Sequence, residues 1–236
     1  MWPNVRPFAM SSPAQFRPEP PISLKSEQWA ADYNEIKDYG GSASIKRSAQ
    51  QTEIARFWFI TGAQSLHSLA RQLVIAKKMS LVDSARFMAL VSIAAADAYI
   101  ATMDSKYFFE FWRPITAIRN GDMDDNPATA RDPAWQPLGA TPMHPEYPCA
   151  HCIHSAAFAA VAEAVLGGPD VPELTMTSST APGVTRRWTN LWAYANEVAD
   201  SRIWAGFHYR FSNRVAQDMG RKIGQLVVRT KLQPAN

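Results

Sequence analysis

The placement of proline constrains this chain more than any other feature. Six of its 17 prolines fall between Pro3 and Pro21, none occurs from Ile22 to Arg113, and six more crowd Pro127 to Pro148. The stretch from Gly183 to Gln233 is again free of proline. A proline ring removes a backbone donor and clashes with the preceding helical turn, so the gaps permit helices and the clusters mark loops. Within the gaps, apolar residues recur at helical spacing, and no β-alternating run of useful length interrupts them. The pattern predicts an all-α helical bundle: an extended proline-rich arm over residues 1–25, then one helical domain over 26–236.

The expected helices span 26–37 (stopped by Gly40 and Gly41), 48–60, 66–78 after Gly62, 80–101 and 104–118, the last broken near Pro114. The 80–101 segment is apolar nearly all round and reads as a buried central helix. A loop over 120–148 leads to an alanine-rich helix at 149–166. A Gly/Pro/Ser/Thr loop over 167–183 precedes helices at 185–204 and 213–229.

At 47% hydrophobic and 19% charged, the chain is too apolar for disorder, and two cysteines are too few for a disulfide scaffold. A net charge of +3 gives no argument for a nucleic-acid partner. The longest apolar stretch, near Leu90 to Ala101, is broken by Asp97, so no transmembrane segment is expected. The arm lacks the basic start, apolar block and small-residue cleavage site of a signal peptide, and the sequence assigns no compartment.

Three clusters carry chemistry. Lys106 and Arg113, seven apart among aromatics and followed by Pro114, read as two cations on one helical face, with Glu110 or Asp97 as structural partners if the pair is only a salt bridge. His144-Pro-Glu-Tyr-Pro148-Cys149-Ala150-His151-Cys152 ends a proline-rich approach where a helix begins. Its first N–H groups, at Ala150 and His151, are free for an anion, and His151 is placed to exchange protons with it. Arg202 and His208 would lie on different faces of one helix and converge only if the chain bends, for which Gly206 is suited.

The order and spacing of these clusters resemble the three-part signature of the type 2 phosphatidic acid phosphatase superfamily, which includes the vanadium-dependent haloperoxidases. The resemblance covers most of residues 48–224. It implies that Lys106, Arg113 and Arg202 hold the equatorial oxygens of a vanadate or phosphate, helped by Cys149 and the Ala150 N–H. His208 matches the axial histidine, a vanadium ligand or a phosphate nucleophile, and His151 the acid–base histidine. Histidine at position 144, where chloroperoxidases carry phenylalanine, implies bromide rather than chloride. The implied activity is oxidation of a halide by hydrogen peroxide on bound vanadate, with a small organic molecule as final substrate. A phosphomonoester phosphatase working through a phosphohistidine, and a non-catalytic oxyanion binder, are the alternatives. The resemblance also implies that the chain is the catalytic half of a longer helical architecture; a homo-oligomer stays open.

Cys149 stands where the family has serine and Ala150 where it has glycine. Ser212 stands where an acid orients the axial imidazole, which leaves Asp218 as the candidate substitute. Cys149 and Cys152 at a helix start form a C-x-x-C that reads as a possible redox pair. Asp122 to Asn126 reads as a solvated acidic turn, and His67 and His154 as ordinary packing residues.

Overall fold

The computed structural model describes residues 2–60 and 63–233; Gly62, the expected break before the third helix, lies outside them. Eight α-helices follow in order: α1 (Glu27–Gly40), α2 (Ala49–Phe57), α3 (Ala63–Ala76), α4 (Leu81–Phe109), α5 (Pro114–Arg119), α6 (Ala150–Leu166), α7 (Leu191–Trp204) and α8 (Arg210–Thr230). Local chemistry sets several starts. Ser26 and Ser80 cap α1 and α4, and Ser48 with Gln51 forms a reciprocal capping box on α2.

α4 and α6 are apolar on nearly every side and form the middle of the bundle. α8 packs against α6 along a seam of small residues. A Cβ added at Gly224 would lie 2.7 Å from Ala157 O and 2.8 Å from Ala160 Cβ, and one at Gly220 would run into Ile153 O. The two backbones approach this closely because glycine faces alanine. The seam brings the start of α6 beside the α7–α8 junction, which is where two of the three sequence clusters lie.

Three expectations about elements need correction. Residues 167–190 are not a loop running into a helix: β1 (Asp170–Ser178) and β2 (Ala181–Asn190) form an antiparallel hairpin, and α7 begins only at Leu191. Leu174, Met176 and Trp188 turn inward while Arg186 and Arg187 ion-pair with Glu197 and Glu173. The register is irregular beside the turn, which masks the strand period. Second, α4 runs unbroken through residues 102–103, since neither glycine nor proline interrupts it, and ends at Glu110 in the left-handed region with φ 48°. Lys106 and Arg113 therefore do not share a helix face; Arg113 is the N-cap position of α5, with Pro114 at N1. Third, the stretch Leu81–Arg119 is long and apolar enough to cross a membrane despite Asp97, and more than half of its most apolar window is buried within the bundle.

Asp97 has a different occupation. Its carboxylate accepts from the N–H groups of Phe8 and Ala9 (2.7 Å each) and Met10 (3.0 Å), holding the N-terminal segment along α4. Arg17 pairs with Asp104, and Tyr147 Oη donates to Glu19 O at 2.8 Å. The acidic turn is likewise only partly solvated: Asp124 is buried, accepting from Trp29 Nε1 and Thr129 Oγ1 at 2.8 Å.

Candidate active site

Arg113 joins the three clusters. Its Nε donates to His144 O (2.9 Å), its Nη2 to His144 Nδ1 (3.0 Å), and its Nη1 to both Phe207 O (2.8 Å) and His208 Nε2 (3.1 Å). Lys106, fully buried near the end of α4, donates to the carbonyls of Pro145 (2.8 Å) and Glu146 (2.7 Å). Arg202, near the end of α7, donates to Trp58 O and lies over the Phe207 ring, 4.9 Å from its centroid. The bend expected between Arg202 and His208 occurs at Gly206, whose φ is 80°; a Cβ there would lie 2.6 Å from Gly40 O.

His208 is fixed from both sides. Its Nδ1 lies 2.8 Å from Glu146 Oε1, which also accepts from Tyr209 N at 3.1 Å. A carboxylate oxygen accepts and a guanidinium only donates, so the proton sits on Nδ1 and the Nε2 lone pair faces the cations. Neither position considered from sequence fills this role: Asp218 pairs with Lys222 on the surface of α8, and Ser212, buried in its first turn, carries no carboxylate. The orienting acid is Glu146, which sequence reasoning passed over. It stands between Pro145 and Tyr147-Pro148, and nothing in that local pattern marks it as the partner of His208.

Burial and mutual charge set the protonation of this cluster. Burial pushes Lys106 down to about 7, with Arg113 adding to the shift and Glu146 opposing it. Burial raises Glu146 to about 7 against the pull of Lys106 and Arg113. The aromatic cluster of Tyr147, Tyr209, Phe211 and Trp29 excludes water on that side. Burial lowers Arg202 to about 10 and His144 to about 4, the cations Lys106 and Arg113 reinforcing the latter. His151 and His208 are held neutral, first by burial and then by the charges of Arg202 and Arg113 respectively.

The start of α6 completes the pocket. Cys149 is its N-cap, accepting from Cys152 N at 3.4 Å, and Ile153 N bonds to Cys149 O, which leaves Ala150 and His151 N–H as first-turn donors. Ala150, His151, His144 and His208 open onto a cavity of about 500 Å³, walled by Leu66, Ala95, Tyr99 and Met103. His67 and His154 line the same cavity; His154 stacks on Tyr99 at 5.7 Å, and Trp2 meets Tyr99 edge-on at 4.7 Å. Arg202 Nε, His151 Nε2 and Glu146 Oε2 are among the buried side-chain atoms without a hydrogen-bond partner. Three buried cations with one carboxylate among them, unpaired donors and neutral imidazoles make a site that an oxyanion fits. Among the described residues, no group of three His, Cys, Asp or Glu side chains could hold a bare metal ion.

The family model of the VCPO second helical-bundle domain matches residues 86–236. Among curated proteins, the vanadium chloroperoxidase of Curvularia inaequalis is 26% identical over 284 residues, covering 92% of this chain and 46% of that protein. Among solved structures, the first bacterial vanadium-dependent iodoperoxidase superposes with a TM-score of 0.82 at 29% identity, covering 97% of this chain and 56% of that one. A bacterial vanadium-dependent chloroperoxidase in its holo form gives 0.74 at 18% identity, over 96% of this chain and 53% of that one; at that identity the likeness is one of fold. The chain spans about half the length of these relatives.

Proposed function

This chain belongs to the VCPO second helical-bundle domain family, and we propose that it is the catalytic part of a haloperoxidase that uses vanadate to oxidise halide, bromide in preference to chloride. The observation that carries the reading is the convergence of Lys106, Arg113 and Arg202, all buried, around a His208 whose Nε2 lone pair is presented to them. Vanadate held there would supply a Lewis-acidic centre able to activate hydrogen peroxide toward a halide.

The chain's own residues do the rest. Arg113 and Arg202 offer forked donors and Lys106 a point charge to the oxygens of a tetrahedral anion, with the Ala150 N–H and Cys149 at the helix start adding neutral donors. Arg113 donates to His208 Nε2; an oxyanion that drew this donor to itself would leave the nitrogen free, and His208 is the residue that would hold the vanadium. Glu146 keeps the proton on Nδ1 throughout. His151, neutral and with Nε2 unpaired, accepts a proton from peroxide at that atom and returns it to the leaving oxygen. The largely apolar cavity gives a small organic acceptor a place beside His144 and His151. His144, neutral and tied to Arg113, presents an imidazole to the cavity, and the bromide preference rests on the resemblance at this position.

A presented Nε2 backed by a carboxylate also suits a phosphohistidine nucleophile, so phosphatase chemistry is the second reading. One preparation separates them: bromide oxidation with added vanadate and peroxide, and hydrolysis of a phosphate monoester without vanadate. Halide turnover supports the first; hydrolysis alone supports the second. Phosphate binding by calorimetry with neither activity reduces the site to an anion binder.

A further inference from the structure

The oxyanion reading accounts for Cys149 only as a donor and leaves Cys152 unused. Cys149 Sγ and Cys152 Sγ lie 2.7 Å apart, both wholly buried, across the first turn of α6. Cys152 Sγ also reaches Asn213 Oδ1 at 3.3 Å, and Asn213 Nδ2 donates to Ala199 O at 2.8 Å, so the pair is tied into the α7–α8 junction. Neighbours three apart at a helix start can bond without moving the backbone far.

We propose that Cys149 and Cys152 form a reversible disulfide, made by hydroperoxide, whose state sets how tightly the cationic pocket binds an oxyanion. The bond itself is independent of the function proposed above; its effect on affinity rests on that reading.

Cys149 is the attacking sulfur. Burial opposes its ionisation, but the hydrogen bond from Cys152 Sγ, then the charge of Arg202 and further that of Lys106, bring its thiol below the ordinary range, while burial pushes Cys152 well above it. The Cys149 thiolate attacks one oxygen of a hydroperoxide; the O–O bond breaks, and the leaving oxygen departs as water or an alcohol with one proton. Cys149 is then a sulfenic acid. Cys152 attacks that sulfur, the S–S bond forms, the S–O bond breaks, and hydroxide leaves as water with the Cys152 proton. Two thiols are oxidised and one hydroperoxide is reduced. An external dithiol reverses the step by exchange.

The effect on the pocket follows from the hydrogens. In the reduced pair Cys149 Sγ accepts from Cys152, so the fraction of Cys149 that is protonated keeps its own S–H for an anion in the pocket. The disulfide carries no hydrogen. Losing one donor of this kind weakens oxyanion binding about fivefold.

Intact-mass analysis and thiol counting after one equivalent of hydrogen peroxide, then after dithiothreitol, test the bond; calorimetry with inorganic phosphate on both forms tests the coupling. The expected result is reversible loss of two hydrogens with phosphate bound about fivefold more weakly by the oxidised chain. In Cys149→Ser and in Cys152→Ala, the reversible two-hydrogen loss disappears. Thiols that stay unreacted, or a Cys149 oxidised alone while Cys152 remains free, overturn the pair. A disulfide with unchanged phosphate affinity overturns the coupling and leaves the oxyanion reading standing. Phosphate binding in neither state overturns the oxyanion reading and the coupling with it.

Discussion

Glu146 Oε1 accepts the Nδ1 proton of His208 across 2.8 Å, in a space where both side chains are almost wholly buried. The carboxylate reaches the histidine from a loop 62 residues earlier in the chain. Glu146→Gln keeps the shape and removes the charge. Halide turnover is expected to fall 10- to 100-fold, as for partners that orient a ligating imidazole. In ¹⁵N spectra the His208 population with the proton on Nδ1 should shrink. Slower turnover with an unchanged tautomer would show that Glu146 acts by some route other than His208.

Arg202 offers a buried Nε with no partner. Arg202→Ala is expected to weaken phosphate binding 10- to 100-fold, the weight of a charge-assisted hydrogen bond, and Arg202→Lys to fall between that variant and the parent. The parent at 100 times its Kd for phosphate gains about 2.7 kcal/mol of stability, read in urea melts. Equal phosphate responses in parent and Arg202→Ala would remove Arg202 from the anion site.

Four imidazoles, those of His154 and His208 buried and those of His144 and His151 partly so, make stability depend on pH. His144 and His154 are lowered to about 4, both first by burial, and His151 and His208 lie well below their ordinary value. The unfolded chain binds protons near pH 6.5 that the folded chain refuses, so this stabilisation is complete above 6.5 and is lost as pH falls toward 4. Glu146, raised to about 7, acts in the opposite sense between 4.5 and 7, as one group against four. His154 alone is worth about 3 kcal/mol over the window. Denaturant melts from pH 7 to 4 should show the fall, and His154→Phe should flatten it. A parent whose stability is level over that range contradicts the neutral imidazoles.

Gly206 turns the chain between Arg202 and His208 with φ at 80° and its α-hydrogens against Gly40. Gly206→Ala adds strain and a clash with Gly40 O and Pro137, costing about 1–3 kcal/mol. Because the displaced backbone carries His208, phosphate affinity should drop as well. A folded Gly206→Ala chain with parental affinity would mean that the bend does not set the site.

The helical gaps between prolines were legible because helix geometry is written in local spacing, and so was the bend at Gly206. The hairpin was not: Thr175 to Ser178 is rich in small polar residues, Ala181 to Thr185 carries Pro182 and Gly183, and the irregular register hides the inward set of Leu174, Met176 and Trp188. Lys106 and Arg113 were identified as a pair, but their convergence comes from a helix ending and a new one starting, not from heptad spacing. Glu146 was hidden for a different reason. Its partner is 62 residues away, and no local pattern separates a carboxylate aimed at a buried imidazole from one facing solvent.

The three backbone donors that Asp97 collects from Phe8, Ala9 and Met10 fix the direction from which the chain arrives. Trp2 therefore stands at the rim of the cavity that opens onto His151 and His208. Anything joined upstream of Trp2, whether polypeptide or purification tag, starts beside this cavity. The N-terminal end of the chain and the cavity over His151 and His208 are thus one neighbourhood, so the placement of a tag becomes a variable of every assay on this chain.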